Sequence, residues 1–214
     1  IDLSVNNEII DPSFFECDVL WIAIPPKART GNGAAYLNKI GRLITLIKLH
    51  GIEQVILISS SSVYGDNNSE VNELTEPNPD TESGKIMLQA ETLLKEQISF
   101  TTTIIRFAGL IGPGRDPGKF FAGKTNIPNG NAPVNLIHLT DCIGISHSIL
   151  DQKAFGYIYN ACSPYHPNRT DFYRKASIES GLEMPEFINE KKSWKIVSGI
   201  NVSGILEYQY QVIV

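Results

Sequence analysis

A chain of 214 residues is long enough for one full domain with a small appendage, and 42% apolar with 19% charged residues is the composition of a folded globular chain rather than a disordered one. Eighteen basic against 23 acidic side chains give a net charge of −5. With no Lys/Arg cluster, this lacks the footprint of a nucleic-acid or anionic-membrane binder. A small-molecule partner is expected, with no nucleic acid and no membrane, because no apolar run reaches the roughly 18 residues that a membrane-spanning helix needs. The chain opens IDLSVNNEII, without a basic segment followed by an apolar stretch, so cytoplasm is the expected compartment. It begins at Ile1 rather than Met, which implies processing or a piece of a longer sequence. Cys17, Cys142 and Cys162 are too widely spaced for a redox or zinc pair and read as reduced core thiols.

In chain order, the first predicted strand is DVLWIAI (Asp18 to Ile24), an apolar run without polar alternation. Such runs suit strands buried on both faces, as in parallel sheets covered by helices. A helix follows, since Leu37, Ile40, Ile44 and Ile47 repeat at helical spacing and His50-Gly51 supplies a stop. QVILIS (Gln54 to Ser59) is the second strand. After the turn-rich EPNPDTESG comes a second helix carrying Ser83, Met87, Ala90 and Leu94 on one face. TTTIIRF (Thr101 to Phe107) and the weaker GYIYNA (Gly156 to Ala161) complete the strands. The β-α-β-α-β order predicts a doubly wound α/β layer with right-handed crossovers. Beyond Pro128 the character changes: VNLIHLTD reads as a strand entering a helix at Asp141, and a further helix is predicted from Thr170 to Gly181. The expected division is therefore an α/β domain over 1–127, and over 128–214 a mixed region that forms a smaller substrate lobe and returns to the main sheet.

Ligands of open parallel sheets sit beyond the carboxyl ends of the strands. The residues there are small or turn-forming: Pro25-Pro26, then Ser59 to Ser62 with Val63-Tyr64-Gly65-Asp66, then Ala108-Gly109 running to Gly114-Arg115. Small side chains let backbone approach a ligand, and hydroxyls can donate or accept. Arg115 offers a planar fork of donors for a substrate phosphate or carboxylate. His50, His138, His147 and His166 have no ligand spacing, so no metal site is expected. His138 is expected to be structural.

The ordered set ISSSSVYGD, SGKIMLQAE, IIRFAGLIGPGR and VNLIHLTD resembles the extended short-chain dehydrogenase/reductase superfamily. More narrowly, it resembles the NAD-dependent epimerase/dehydratase family and its atypical members. The resemblance implies a Rossmann-like fold, with 1–127 as a partial dinucleotide-binding domain, and NAD or NADP as cofactor. It also implies a Ser that hydrogen-bonds the substrate oxygen, a Tyr acid/base, and a Lys four residues on that lowers the Tyr pKa, as a phenol near pKa 10 requires. Carried over residue by residue, the Ser falls at Ser60, while the Tyr position holds Ser83 and the Lys position Met87. Both proton-transfer groups are thus replaced, and the catalytic candidates are Ser60 and Ser83. Lys85, rotated by about 200° from Ser83, points off that face; Glu82, Tyr64 and Asp66 are the nearby alternatives. The implied cofactor neighbours are Ala23, Ile24, Pro25, Ser59, Phe107, Ala108 and Gly109.

A second departure is the Gly-rich turn that normally holds the pyrophosphate: Gly31-Asn32-Gly33 follows the wrong strand and reads as a flexible loop. Roughly 50 to 70 upstream residues are inferred to be absent, at about 30 per βα unit, and the chain as given is expected to bind dinucleotide poorly. The expected function is that of an epimerase/dehydratase-type protein acting on a nucleotide-sugar-like or other small hydroxyl/carbonyl substrate. The alternative is a non-catalytic dinucleotide sensor or scaffold. A homodimer is left open.

Overall fold

A computed structural model describes residues 11–26 and 33–213; the opening IDLSVNNEII and Gly31-Asn32 lie outside them. A parallel four-stranded sheet organises the molecule, in the order β1 (Val19–Ile22), β2 (Gln54–Ser60), β4 (Thr101–Phe107), β7 (Ile158–Ala161). The register runs Trp21 to Ile56 to Thr103 and Ser60 to Phe107 to Ala161, so strand ends predicted from separate apolar runs meet along one edge. β2, β4 and β7 are largely buried, as continuous apolar runs require. β1, one of the two edge strands among the described residues, departs from this and alternates half-buried and buried.

Between the strands lie α1 (Gly33–His50) and α2 (Glu82–Lys95). The predicted stripe on α1 is buried at Ile40, Ile44 and Ile47, with Leu37 partly buried against the same core. α2 buries Met87, Ala90 and Leu94 along with Gly84, Ile86 and Glu91. Its N-cap is Thr81, whose hydroxyl accepts from Gly84 N at 3.1 Å. The cap is thus Thr81 and not Ser83, whose side chain is left for other contacts. α3 (Leu139–Asp151) starts two residues before the predicted Asp141, with His138 as its N-cap accepting from Thr140 N at 3.2 Å. α4 (Arg169–Glu179) is the expected later helix, and the short α5 (Ile200–Gly204) was not foreseen.

Two further parallel pairs join β3 (Ser69–Val71) to β8 (Lys195–Val197) and β5 (Gly109–Ile111) to β6 (Leu136–His138); β6 is the strand read from VNLIHLTD, and the other three were unforeseen. Three-residue strands are too short to leave a period. A second apolar cluster of Ile111, Val134, Leu136 and Tyr173, packed with Phe120, Phe121, Phe172 and Phe187, stands beside the main core. Among the described residues no helix is long and apolar enough to cross a membrane.

The start of α2 is held tightly against the turn that follows β2. A Cβ on Gly84 would collide with the carbonyl of Ser62 and sit 2.8 Å from Pro79 Cβ. Gly84→Ala should therefore cost about 1–3 kcal/mol, the range for overpacking a rigid contact, as a lowered midpoint in urea unfolding; an unchanged midpoint would contradict this packing.

The cysteines require one correction. Cys142 and Cys162 are buried, but Cys17 is exposed on the bend before β1. Burial pushes both buried thiols up to about 12, and the thiolate is the reactive form. A thiol-specific alkylating reagent at pH 8 should modify Cys17 alone in the native protein and all three cysteines after denaturation. Fast native labelling of Cys142 or Cys162 would contradict the burial.

Candidate active site

At the carboxyl edge of the sheet, the ends of β1 and β2 and the first turns of α2 enclose a cavity of ≈ 230 Å³. It is lined by Ala23, Ile24, Pro25, Pro26, Ile58, Ser59, Ser60, Ser83 and Met87. Six predicted site residues thus share one cavity: Ala23, Ile24, Pro25, Ser59, Ser60 and Ser83. The Ser60 hydroxyl accepts from Ser62 N at 3.1 Å within the short turn it caps. This orients its oxygen and leaves its proton to donate. Ser59 is committed elsewhere, donating to Glu91 Oε1 at 2.5 Å. Lys85 is exposed, as its angular position on α2 predicted. Phe107 and Ala108 line neither this cavity nor the neighbouring cleft, although Phe107 is the register partner of Ser60.

Behind the cavity lies a buried polar network that the sequence did not announce. Arg106 reaches Glu91 through Nη2 at 2.6 Å and Nε at 3.0 Å, with both side chains at 3% exposure or less. Its Nη1 donates to Tyr64 Oη at 2.6 Å, and that phenol lies within reach of Asn72 O (2.9 Å) and Asn160 Oδ1 (3.1 Å). Burial raises the Tyr64 phenol against the opposing pull of Arg106. Tyr64 lies outside the cavity lining and its oxygen is engaged, so it does not take the place of the family Tyr. Glu82 is exposed and Asp66 is ion-paired, so neither lines the Ser60 cavity.

On the other side of the β2 turn opens a cleft of ≈ 320 Å³, walled by Ser61, Gly109, Arg115, Phe120, Asn135, Arg169, Tyr173 and Trp194 among others. Here the structure places two of the predicted residues, Gly109 and Arg115. Arg115 is held by Nε donating to Leu110 O at 2.8 Å and lies over the Phe120 ring at 5.9 Å. Arg169 lies over Phe121 and Phe187 at 5.3 and 5.7 Å, and its Nη1 donates to Pro128 O at 3.3 Å. Neither guanidinium has a carboxylate partner among the described residues. Lys195 does, at 2.8 Å from Asp66 Oδ1. Asn129 fixes the far wall by accepting from Lys192 N (2.7 Å) and Ser193 N (3.3 Å). Arg169 and Trp194 were missed because they come from distant loops with no spacing signal; an unpaired Arg in a predicted helix N-terminus was the only hint. No group of metal-ligating side chains occurs among the described residues.

A parallel sheet with two ligand-sized hollows at its carboxyl edge defines a Rossmann-like α/β protein of the type found in epimerase/dehydratase structures. The solved structure of MoeE5 in complex with UDP-glucuronic acid and NAD is similar at a TM-score of 0.78 with 16% identity, over 100% of this chain and 78% of that one. The UDP-glucuronic acid 4-epimerase from Bacillus cereus in complex with NAD gives 0.75 with 19% identity, over 95% and 73%. No family model matches the sequence. Protein YeeZ of Escherichia coli (strain K12) is 39% identical over 212 residues, 98% of this chain and 77% of that protein. The chain belongs to the YeeZ family.

Proposed function

We propose that this protein binds NAD or NADP at the Ser60 cavity and a nucleotide-sugar-like or other small hydroxyl/carbonyl ligand in the neighbouring cleft, as an atypical member of the epimerase/dehydratase type. The observation that carries this reading is the convergence of Ala23, Ile24, Pro25, Ser60 and Ser83 on one cavity beside a cleft holding two arginines without carboxylate partners. Similarity of fold to proteins solved with NAD and UDP-sugars supports it. The cavity suits a nicotinamide: the described residues that line it are uncharged, and small residues end both strands. A bound nicotinamide would supply the hydride chemistry. Ser60 donates its hydroxyl proton to a substrate oxygen, and Arg115 and Arg169 hold the anionic end through guanidinium forks already stacked on aromatic rings. The segment 128–214 supplies most of the cleft's outer wall as the substrate lobe.

A second reading, a dinucleotide-binding sensor or scaffold without turnover, is favoured by one specific feature. Among the described residues no titratable side chain lines the Ser60 cavity, and a hydroxyl without a cationic partner is a poor proton acceptor. Calorimetric titration of the full-length protein with NAD, NADP and UDP-sugars tests both. Cofactor binding together with a nucleotide-sugar affinity that Arg115→Ala or Arg169→Ala lowers about tenfold or more is expected, as for loss of a charge-assisted contact of about 1.5–3 kcal/mol. Turnover in the same samples would select the enzyme. Binding without turnover would select the sensor, and no cofactor binding would refute both.

A further inference from the structure

A larger hollow lies outside the site described above. Between β8, α5 and the segment that follows α5 is a cavity of ≈ 660 Å³, within the size range of small-molecule sites. Two of its walls are tyrosine rings at a right angle: Tyr208 and Tyr210 have centroids 5.7 Å apart and an interplanar angle of 83°. Its charged side chain is Glu70, which has no ion-pair partner among the described residues. Glu70 is the register partner of Ile196, so the two share a sheet face, and both line the hollow. His166 donates from Nδ1 to Val134 O at 3.1 Å, and in its neutral form Nε2 is left as an acceptor. Among the described residues no Lys or Arg lines the cavity.

The walls are built before any ligand arrives. The buried Asp141 carboxylate accepts from Tyr208 Oη at 3.0 Å, Gln211 N at 2.7 Å and Val212 N at 3.2 Å. The Tyr208 ring lies directly on the α3 backbone, where a Cβ at position 144 would come within 2.7 Å of it; Gly144 is what permits the approach. Two π faces, a carboxylate and an imidazole acceptor without any competing cation match one ligand chemistry. Ring faces attract a positive charge through their quadrupole, most strongly when it is desolvated.

We propose that this cavity is a binding site for a small organic ammonium ion, held against the Tyr208 and Tyr210 rings with Glu70 as counter-charge. The proposal does not rest on the dinucleotide reading. Calorimetric titration of the full-length protein with choline tests it against 3,3-dimethylbutan-1-ol, the neutral isostere that differs by the charge alone. Choline should bind at least about tenfold more tightly than the alcohol. Tyr210→Leu and Glu70→Gln should each weaken choline while Tyr210→Phe retains it, with thermal midpoints recorded for every variant. Equal affinity for choline and the alcohol, or no saturable binding of choline, would overturn the proposal. So would a Glu70→Gln protein, changed only at an exposed position, that binds choline as the parent does.

Discussion

Replacing Glu91 by alanine should destabilise the fold by about 3–5 kcal/mol, the cost of leaving a buried charge without its partner. Glu91 and Arg106 are each at most 3% exposed, and the carboxylate takes the guanidinium at 2.6 Å together with the Ser59 hydroxyl. Burial alone would lower the Arg106 pKa, but hydrogen bonds to Glu91 and its charge reverse this, so the guanidinium is raised and stays ionised. The removal therefore strands a cation between α2 and β4. The paired change Glu91→Leu with Arg106→Met should recover most of the loss, because an apolar replacement of both partners removes the desolvation penalty as well. Urea unfolding checks both, and a Glu91→Ala protein within 1 kcal/mol of the parent, a threshold well below that range, would show that the pair is not what joins helix to strand.

The second large effect concerns chemistry. Under the proposed function, Ser83→Tyr with Met87→Lys should raise any turnover by about 10²–10⁴-fold, the usual contribution of a positioned acid/base. Both positions line the Ser60 cavity and lie one helical turn apart on α2, so the phenol would face Ser60 with an ammonium beside it to lower its pKa. Measured kcat on a folded, cofactor-bound double variant is the readout. No gain over the parent would count against the placement of the reacting atoms.

Much of the sheet was legible because buried parallel strands leave runs that nothing else produces at that length: QVILIS and TTTIIRF became β2 and β4 almost residue for residue. The helices were legible from their stripes and stops. β3, β5 and β8 were not, since three residues carry no period, and β6, read from VNLIHLTD, gave no sign of its partner because the pairing depends on loops folding back over long separations. The site divides in the same way. Ser60 and Ser83 were found through motif positions at strand and helix ends. Arg106, near the carboxyl end of an apolar strand, gave no sign of its partner 15 residues earlier. Arg169 reaches the cleft through a fold-back that composition does not encode. As candidate caps Thr81 and Ser83 are chemically alike, and only the hydrogen bond to Gly84 N separates them.

Alkaline conditions probe the core independently. Burial raises Cys142, Cys162 and Tyr36 to about 12. A raised folded pKa on an acid means that the unfolded chain loses the proton first, so this stability is intact below about pH 9 and is lost progressively as pH climbs toward 12. The unfolding midpoint should fall across that window. A midpoint flat to pH 12 would contradict the burial of these groups.

The central claim, that the hollow beside Ser60 receives the nicotinamide, is tested most directly by filling it. Ala23 is exposed yet lines the cavity, so Ala23→Phe can obstruct it without disturbing the core. Calorimetric titration of full-length Ala23→Phe with NADH and NADPH should show affinity at least about tenfold weaker than the parent, 1.4 kcal/mol or more, at an unchanged melting temperature. Parental affinity in the folded variant would place the nicotinamide elsewhere.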